Sequence, residues 1–241
     1  MDIIGHLSSK VWVPLKIGNL DISITNQIVV MWVAAVLVIL FFYFSGRKTS
    51  VVPTPLQNFA EMYISALWQT IEPIVHDRIW LPFFCGLFSF ILSCNLLGAI
   101  PGVTPPTANI NFTATLAAMI FLIAQGVGIK KHGAVKYFSG MAPSGVPWPI
   151  LIFLIPIEIM SQLARPFSLA VRLFANLFAG HAVILTIVGL IFVFKSYYVI
   201  PGSLIVDLAI SMFEIFIAFI QAFIFTFLSA FYIGTSLEGE H

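Results

Sequence analysis

The 241-residue chain is 60% hydrophobic and 9% charged, with a formal net charge of +1. That leaves too little polar surface to coat a water-soluble globule, so a lipid bilayer is the expected solvent, and no basic patch is available to neutralise the phosphates of a nucleic acid. At about 20 apolar residues per crossing, the chain has room for roughly five or six membrane helices, read as a single membrane domain over 1–241.

The N-terminus places Asp2 and His6 ahead of any apolar stretch, with no basic leader and no small-residue cleavage site, and is expected to belong to the mature chain as an external segment over residues 1–23. No charge occurs from Ile22 to Gly46, which predicts a first span over 24–46. Arg47 and Lys48 follow it at once and place that end in the cytoplasm. Pro53 to Pro55 then open a segment, 54–73, in which Leu56, Phe59, Ala60, Tyr63, Ile64, Leu67 and Ile71 share one helical face, with Gln57, Asn58, Glu61, Ser65 and Gln69 opposite. This amphipathic helix is too polar to span; it either lies flat on the membrane surface or packs against a soluble partner.

From Ile79 to Ile129 there is again no charge. Pro101-Gly102 and Pro105-Pro106 divide the run into a helical hairpin with spans at Ile79 to Ile100 and Asn111 to Ile129. Lys130, Lys131 and Lys136 put its far end inside and its turn outside. Asn111-Phe112-Thr113 has the form of a glycosylation acceptor but reads as a chance match in a tight turn. Cys85 and Cys94 have neither disulfide-framework nor metal-ligand spacing and read as core packing.

A mostly helix-forming stretch runs from Pro149 to Phe194, broken only by Pro156 and Pro166. As one helix it would be about 69 Å long, twice a bilayer. It contains no turn cluster, so a tilted, kinked helix is expected rather than a fold-back. A turn at Lys195 to Ser203 leads to a last helix from about Leu204 to Ile233, so that 147–237 holds two long tilted helices. The whole reads as an all-α integral membrane protein with about five membrane-embedded helices and one surface helix.

Ionisable groups within these last two helices carry the functional signal, because a charge at mid-bilayer costs at least about 2.5 kcal/mol and has to face protein or water. Glu158, Ser161, Arg165, Ser168, Arg172 and Asn176 follow at steps of three or four, drawing one polar stripe; Asp207, Glu214 and Gln221 are spaced by seven and draw another. Arg165 beside Pro166 can simply snorkel, and the serines can bond backbone carbonyls. Arg172 has no such exit, because Leu173 to Phe194 carries no ionisable group except His181. Imidazoles and carboxylates can exchange protons near neutral pH once their surroundings tune them, which suits His181 and Glu214 to a relay. A guanidinium stays charged, so Arg172 suits a gate that attracts carboxylates and repels cations. Two intramembrane ligand types without HExxH spacing make a metal site a poor reading, and no nucleotide or nucleophile motif indicates an enzyme or an organic cofactor. A secondary transporter with Arg172 anchoring an anionic substrate is the alternative, and a membrane scaffold the third.

The run from Arg165 to His181, RPFSLAVRLFANLFAGH, resembles the signature of subunit a of F-type ATP synthases, as do Asn95 to Gly98 with Pro101, Pro106 to Thr113, and Gln221 to Phe225. The resemblance extends from the hairpin to the last helix; Ala175 stands where the family carries glycine, a small-for-small change. It implies a stator subunit of a proton-translocating ATP synthase, with no catalysis of its own. Its partners would be a ring of c subunits, peripheral-stalk b subunits, the rest of the complex and the bilayer. It implies that Arg172 faces the ring between two proton half-channels, with Asn176, Gln221 and Ser168 close to it. His181, Glu214 and Asp207 would line the external half-channel, and Glu158 and Ser161 the cytoplasmic one. The chain would sit in a bacterial plasma membrane, or alternatively an organellar inner membrane, with its N-terminus outside and its C-terminus in the cytoplasm.

Overall fold

In hydrocarbon each backbone N–H and C=O has to be satisfied within its own segment, so uninterrupted apolar runs fold as helices. The computed structural model describes residues 11–14, 16–17, 20–21, 23–47, 53–100, 103–139, 148–194 and 199–238, with the side chains of His181 and Asp207 outside that description. Its helices are α1 (Asn26–Gly46), α2 (Pro55–Ile71), α3 (Leu81–Gly98), α4 (Ile110–His132), a short α5 (Ala134–Ser139), α6 (Trp148–Phe194) and α7 (Val199–Glu238). Five stretches, in α1, α3, α4, α6 and α7, are long and apolar enough to cross a membrane. The class is therefore an all-α integral membrane protein. Before α1, β1 (Val11–Val13) pairs antiparallel with β4 (Ile24–Thr25), and β2 (Lys16–Ile17) with β3 (Leu20–Asp21).

Several boundaries differ from the sequence expectation for identifiable reasons. α4 runs past Ile129 through Lys130 and Lys131 to His132, since lysine is a good helix former and positive charge is favoured at a helix C-terminus. Gly133, at φ 81°, ends it, a backbone geometry that glycine adopts without steric cost. Asn111 lies in the first turn of α4 rather than in a tight turn, and Asn109 caps that helix by accepting from the Asn111 N–H at 3.0 Å. Pro201 and Gly202, expected as a turn, sit in the first turn of α7, where a proline forfeits no intrahelical hydrogen bond. α6 continues as one helix through Pro156 and Pro166. At 47 residues it is about 70 Å long, more than twice the thickness of a bilayer core of about 30 Å.

α2 buries most of the face its periodicity suggests, through Ala60, Leu67 and Ile71 with Tyr63 and Ile64 half-buried, but departs from it in the first turn. Gln57, Ala60, Leu67, Trp68 and Ile71 are buried, while Leu56 and Phe59 are exposed. The Gln57 amide is accommodated by donating to Glu61 Oε1 at 2.8 Å. Tyr63 fastens α2 to α3 by donating to the Cys85 carbonyl, with Ser89 Oγ also at 2.9 Å; burial raises its phenol well above the usual range.

The core is a layer of α3 and α4 packed behind α6 and α7. Phe84, Phe88 and Ile91 of α3 and Leu116, Ala117 and Ile120 of α4 meet Leu169, Leu173, Ala222 and Phe225. Asn95 is buried within this layer and donates from Nδ2 to the Ala218 carbonyl at 3.2 Å, tying the hairpin to the middle of α7. α1 stands to one side with Ala34 fully buried and about half of its apolar residues exposed. Its start is tied to the hairpin turn by Asn109 Nδ2 donating to Gln27 Oε1 at 2.7 Å and by Asn26 bonding Thr104.

Candidate functional site on the two long helices

α6 and α7 run antiparallel, so residues late in one face residues early in the other. Gly180 meets Glu214, Asn176 meets Gln221 and Arg165 meets Tyr232. These three levels arrange the candidate groups along one axis.

Arg172 lies on α6 between Leu169, Leu173 and Leu177, which are buried, but its own side chain is exposed, as are those of Ser168 and Asn176. Among the described residues it forms no salt bridge. Phe167, elsewhere on the exposed side of α6, is 71% exposed. Arg172 thus lies outside the chain's own core, on a surface shared with Ser168 and Asn176. Its helix level is closed on the inside by Gln221, which is 2% exposed and accepts from Asn176 Nδ2 at 3.4 Å; Gln221 Nε2 has no partner among the described residues.

On one side of Arg172, Glu214 is buried against Gly180, about 12 Å further along α6. A β-carbon at position 180 would stand 2.8 Å from Glu214 Oε1 and 3.4 Å from its Cδ. Glycine is what admits the carboxylate to the α6 backbone, one residue before His181. The imidazole itself, like the Asp207 carboxylate, lies outside the described residues.

On the other side, about 21 Å from Arg172 along the helix, Glu158 lines a cavity of about 300 Å³ bounded by α4, α5, α6 and α7. Gln125, Tyr137, Gln162, Arg165, Tyr232 and Thr235 are among its walls. The Arg165 guanidinium lies 5.8 Å from the centroid of the Tyr232 ring, a cation–π contact that holds it against one wall. Ser161 is exposed and is not part of this lining.

The expected single stripe on α6 therefore divides. At about 100° per residue, Gln162 lies about 40° from Glu158 toward the buried side, and Ser161 about 60° from it in the opposite direction. Ser161, Ser168 and Arg172 fall on the outer flank, Glu158 and Arg165 at the margin, and Gln162 inside. Gln162 and Gln125 were missed by a reading centred on charge, and Asn95 entered only within a resembling motif. Gln125 is a lone amide in an apolar run, which was the available signal, whereas Gln162 lies between Glu158 and Arg165, one position off the spacing of the stripe. Among the described residues no three His, Cys, Asp or Glu side chains converge to hold a metal ion.

Taken together, these features define a multi-span helical membrane protein with ionisable and amide side chains threaded along two packed helices and one arginine facing outward. The family described as ATP synthase A chain matches residues 28–234, and the chain belongs to it. It is 40% identical to ATP synthase subunit a of Magnetococcus marinus, over 99% of this chain and 93% of that protein. It is 39% identical to that of an Anaeromyxobacter species over 100% of this chain and 62% of the relative, and 38% identical to that of Chloroherpeton thalassium over 94% and 70%.

Proposed function

We propose that the chain is the stationary proton-path subunit of an ATP synthase membrane sector, working against a rotating ring of c subunits and held by stalk b subunits. The observation that carries the reading is the outward placement of Arg172, with buried polar groups leading away from it in both directions along the helix pair. Family membership supports the same assignment.

In this reading a proton enters from outside past His181, Asp207 and Glu214 and neutralises a carboxylate on the ring. The neutral carboxyl can then turn into lipid, which an ionised one resists by several kcal/mol. After nearly a full turn it meets the second path and releases its proton toward Glu158. Arg172 attracts the ionised carboxylate between the two paths and repels hydronium, so protons do not short-circuit. Asn176 and Gln221 hold the helix faces behind it, and Ser168 lies beside it on the ring-facing flank. A membrane potential of 100 mV supplies about 2.3 kcal/mol per proton, and rotation sums several such steps into one ATP. The N-terminus is external, the C-terminus cytoplasmic, and the membrane is the cell membrane.

Cysteine cross-linking in the assembled complex tests the ring-facing assignment. Ser168→Cys, on the exposed flank, is expected to form a disulfide with a cysteine placed next to the carboxylate of the ring subunit, while Leu173→Cys, on the buried face, does not. Cross-linking of both positions to equal extent, or of neither, would remove the reading.

A further inference from the structure

The wall of the Glu158 cavity contains two amides that the charge pattern does not single out. Gln162 lies one turn beyond Glu158 on α6, is 8% exposed, and accepts a hydrogen bond at 3.4 Å from Nε2 of Gln125 on α4. Between helices in a membrane a buried amide is costly unless its donors and acceptors are engaged. A single hydrogen bond at the long end of the range leaves further donor and acceptor capacity on both side chains, and both border the cavity. At liquid density a volume of about 300 Å³ accommodates on the order of ten water molecules.

We infer that Gln125 and Gln162 are positioning residues for proton release. They anchor an ordered file of water that joins the ring-facing side of α6 to Glu158, with Arg165 as the fixed positive charge that keeps metal cations out of it. This inference rests on the proposed proton path. An amide does not itself take up the proton near neutral pH, but its N–H and C=O fix the direction in which adjacent waters donate. Each water then accepts one proton and passes one on, so neither water nor charge accumulates. Glu158 accepts the last proton and returns it to bulk solvent. Arg165, held over Tyr232, disfavours a sodium or potassium ion in the same space by like-charge repulsion, while proton transfer along hydrogen bonds needs no ion to dwell there.

The test uses the assembled synthase in inverted membrane vesicles, with signals normalised to the amount of assembled complex. Gln162→Leu keeps the bulk and removes the hydrogen bonds; it is expected to lower ATP-driven proton pumping about five- to tenfold and to lower the silver-ion reactivity of a Thr235→Cys reporter on the cavity wall. Gln162→Glu, which restores polar anchoring, is expected to recover most of the flux with an altered pH profile, a response that a purely structural role would not give. Gln162→Leu with wild-type flux and reporter reactivity would overturn the inference. So would equal loss in Leu and Glu variants. Glu158→Ala serves as the separating control: if it lowers flux while Gln162→Leu does not, only the amide role fails. If neither changes flux, the cavity is not on the path and the underlying reading fails with it.

Discussion

The approach of Glu214 to Gly180 makes a quantitative prediction. An alanine at 180 would place its β-carbon 2.8 Å from Glu214 Oε1, against an ordinary contact of at least 3.4 Å, so the carboxylate has to retreat by about 0.6 Å. The oxygen is the far end of a flexible side chain, and the retreat is met by moving off the preferred rotamer at a cost of about 0.5–1.5 kcal/mol. If that cost falls fully on the proton-transfer step, flux drops about two- to tenfold. Gly180→Leu, which no small rotation accommodates, should lose more. A shorter acid relieves the clash, so Gly180→Ala with Glu214→Asp should pump better than the product of the two single defects, a coupling that a double-mutant cycle isolates. The assay is ATP-driven acidification of inverted vesicles, followed with a pH-sensitive dye at matched complex content. Full activity in both Gly180→Ala and Gly180→Leu would refute the reasoning, because the carboxylate position would then not matter.

Glu158→Gln should slow pumping without uncoupling it, since water can replace one relay group in part; unchanged flux across the accessible pH range in Glu158→Ala would remove this residue from the path. Exchanging the pair as His181→Glu with Glu214→His should restore part of the flux that each single change loses, and purely multiplicative defects would make the two residues independent. Asn95→Leu should remove the hydrogen bond that fastens the hairpin to α7 at Ala218, lowering the thermal stability of the extracted complex by the equivalent of about 1–3 kcal/mol; an unchanged melting temperature would count against that tie.

The helices were legible because a chain that is 60% hydrophobic, with long uncharged runs such as Ile22 to Gly46 and Ile79 to Ile129, writes its spans directly into the sequence. The ends of α4 and α7 were less so. Lys130 and Lys131 read as loop charges but extend a helix, and Pro201-Gly202 reads as a turn but fits a helix N-terminus. The same limit applied to the site. Steps of three and four place Glu158, Ser161, Arg165, Ser168 and Arg172 on one broad arc of α6, yet they do not reveal where along that arc the neighbouring helices stop. That boundary is set by Leu116, Ala117 and Ile120 on α4 and by Phe225 on α7, which touch α6 only in the folded chain. Gln125 and Gln162 come together from helices 37 positions apart, a pairing that no local pattern encodes. Glu214 beside Gly180 was legible only in part: its lone carboxylate suited a relay, but the glycine that makes room for the acid became meaningful only with the helices packed.

Arg172 is the group on which the account turns. The most direct measurement is proton movement through vesicles carrying assembled Arg172→Ala complex, recorded both as ATP-driven pumping and as passive leak under an imposed potential. Loss of pumping together with a passive proton leak above that of the wild-type complex is the expected result, because removing the fixed charge joins the two paths. Pumping at the wild-type rate with no added leak would contradict the account.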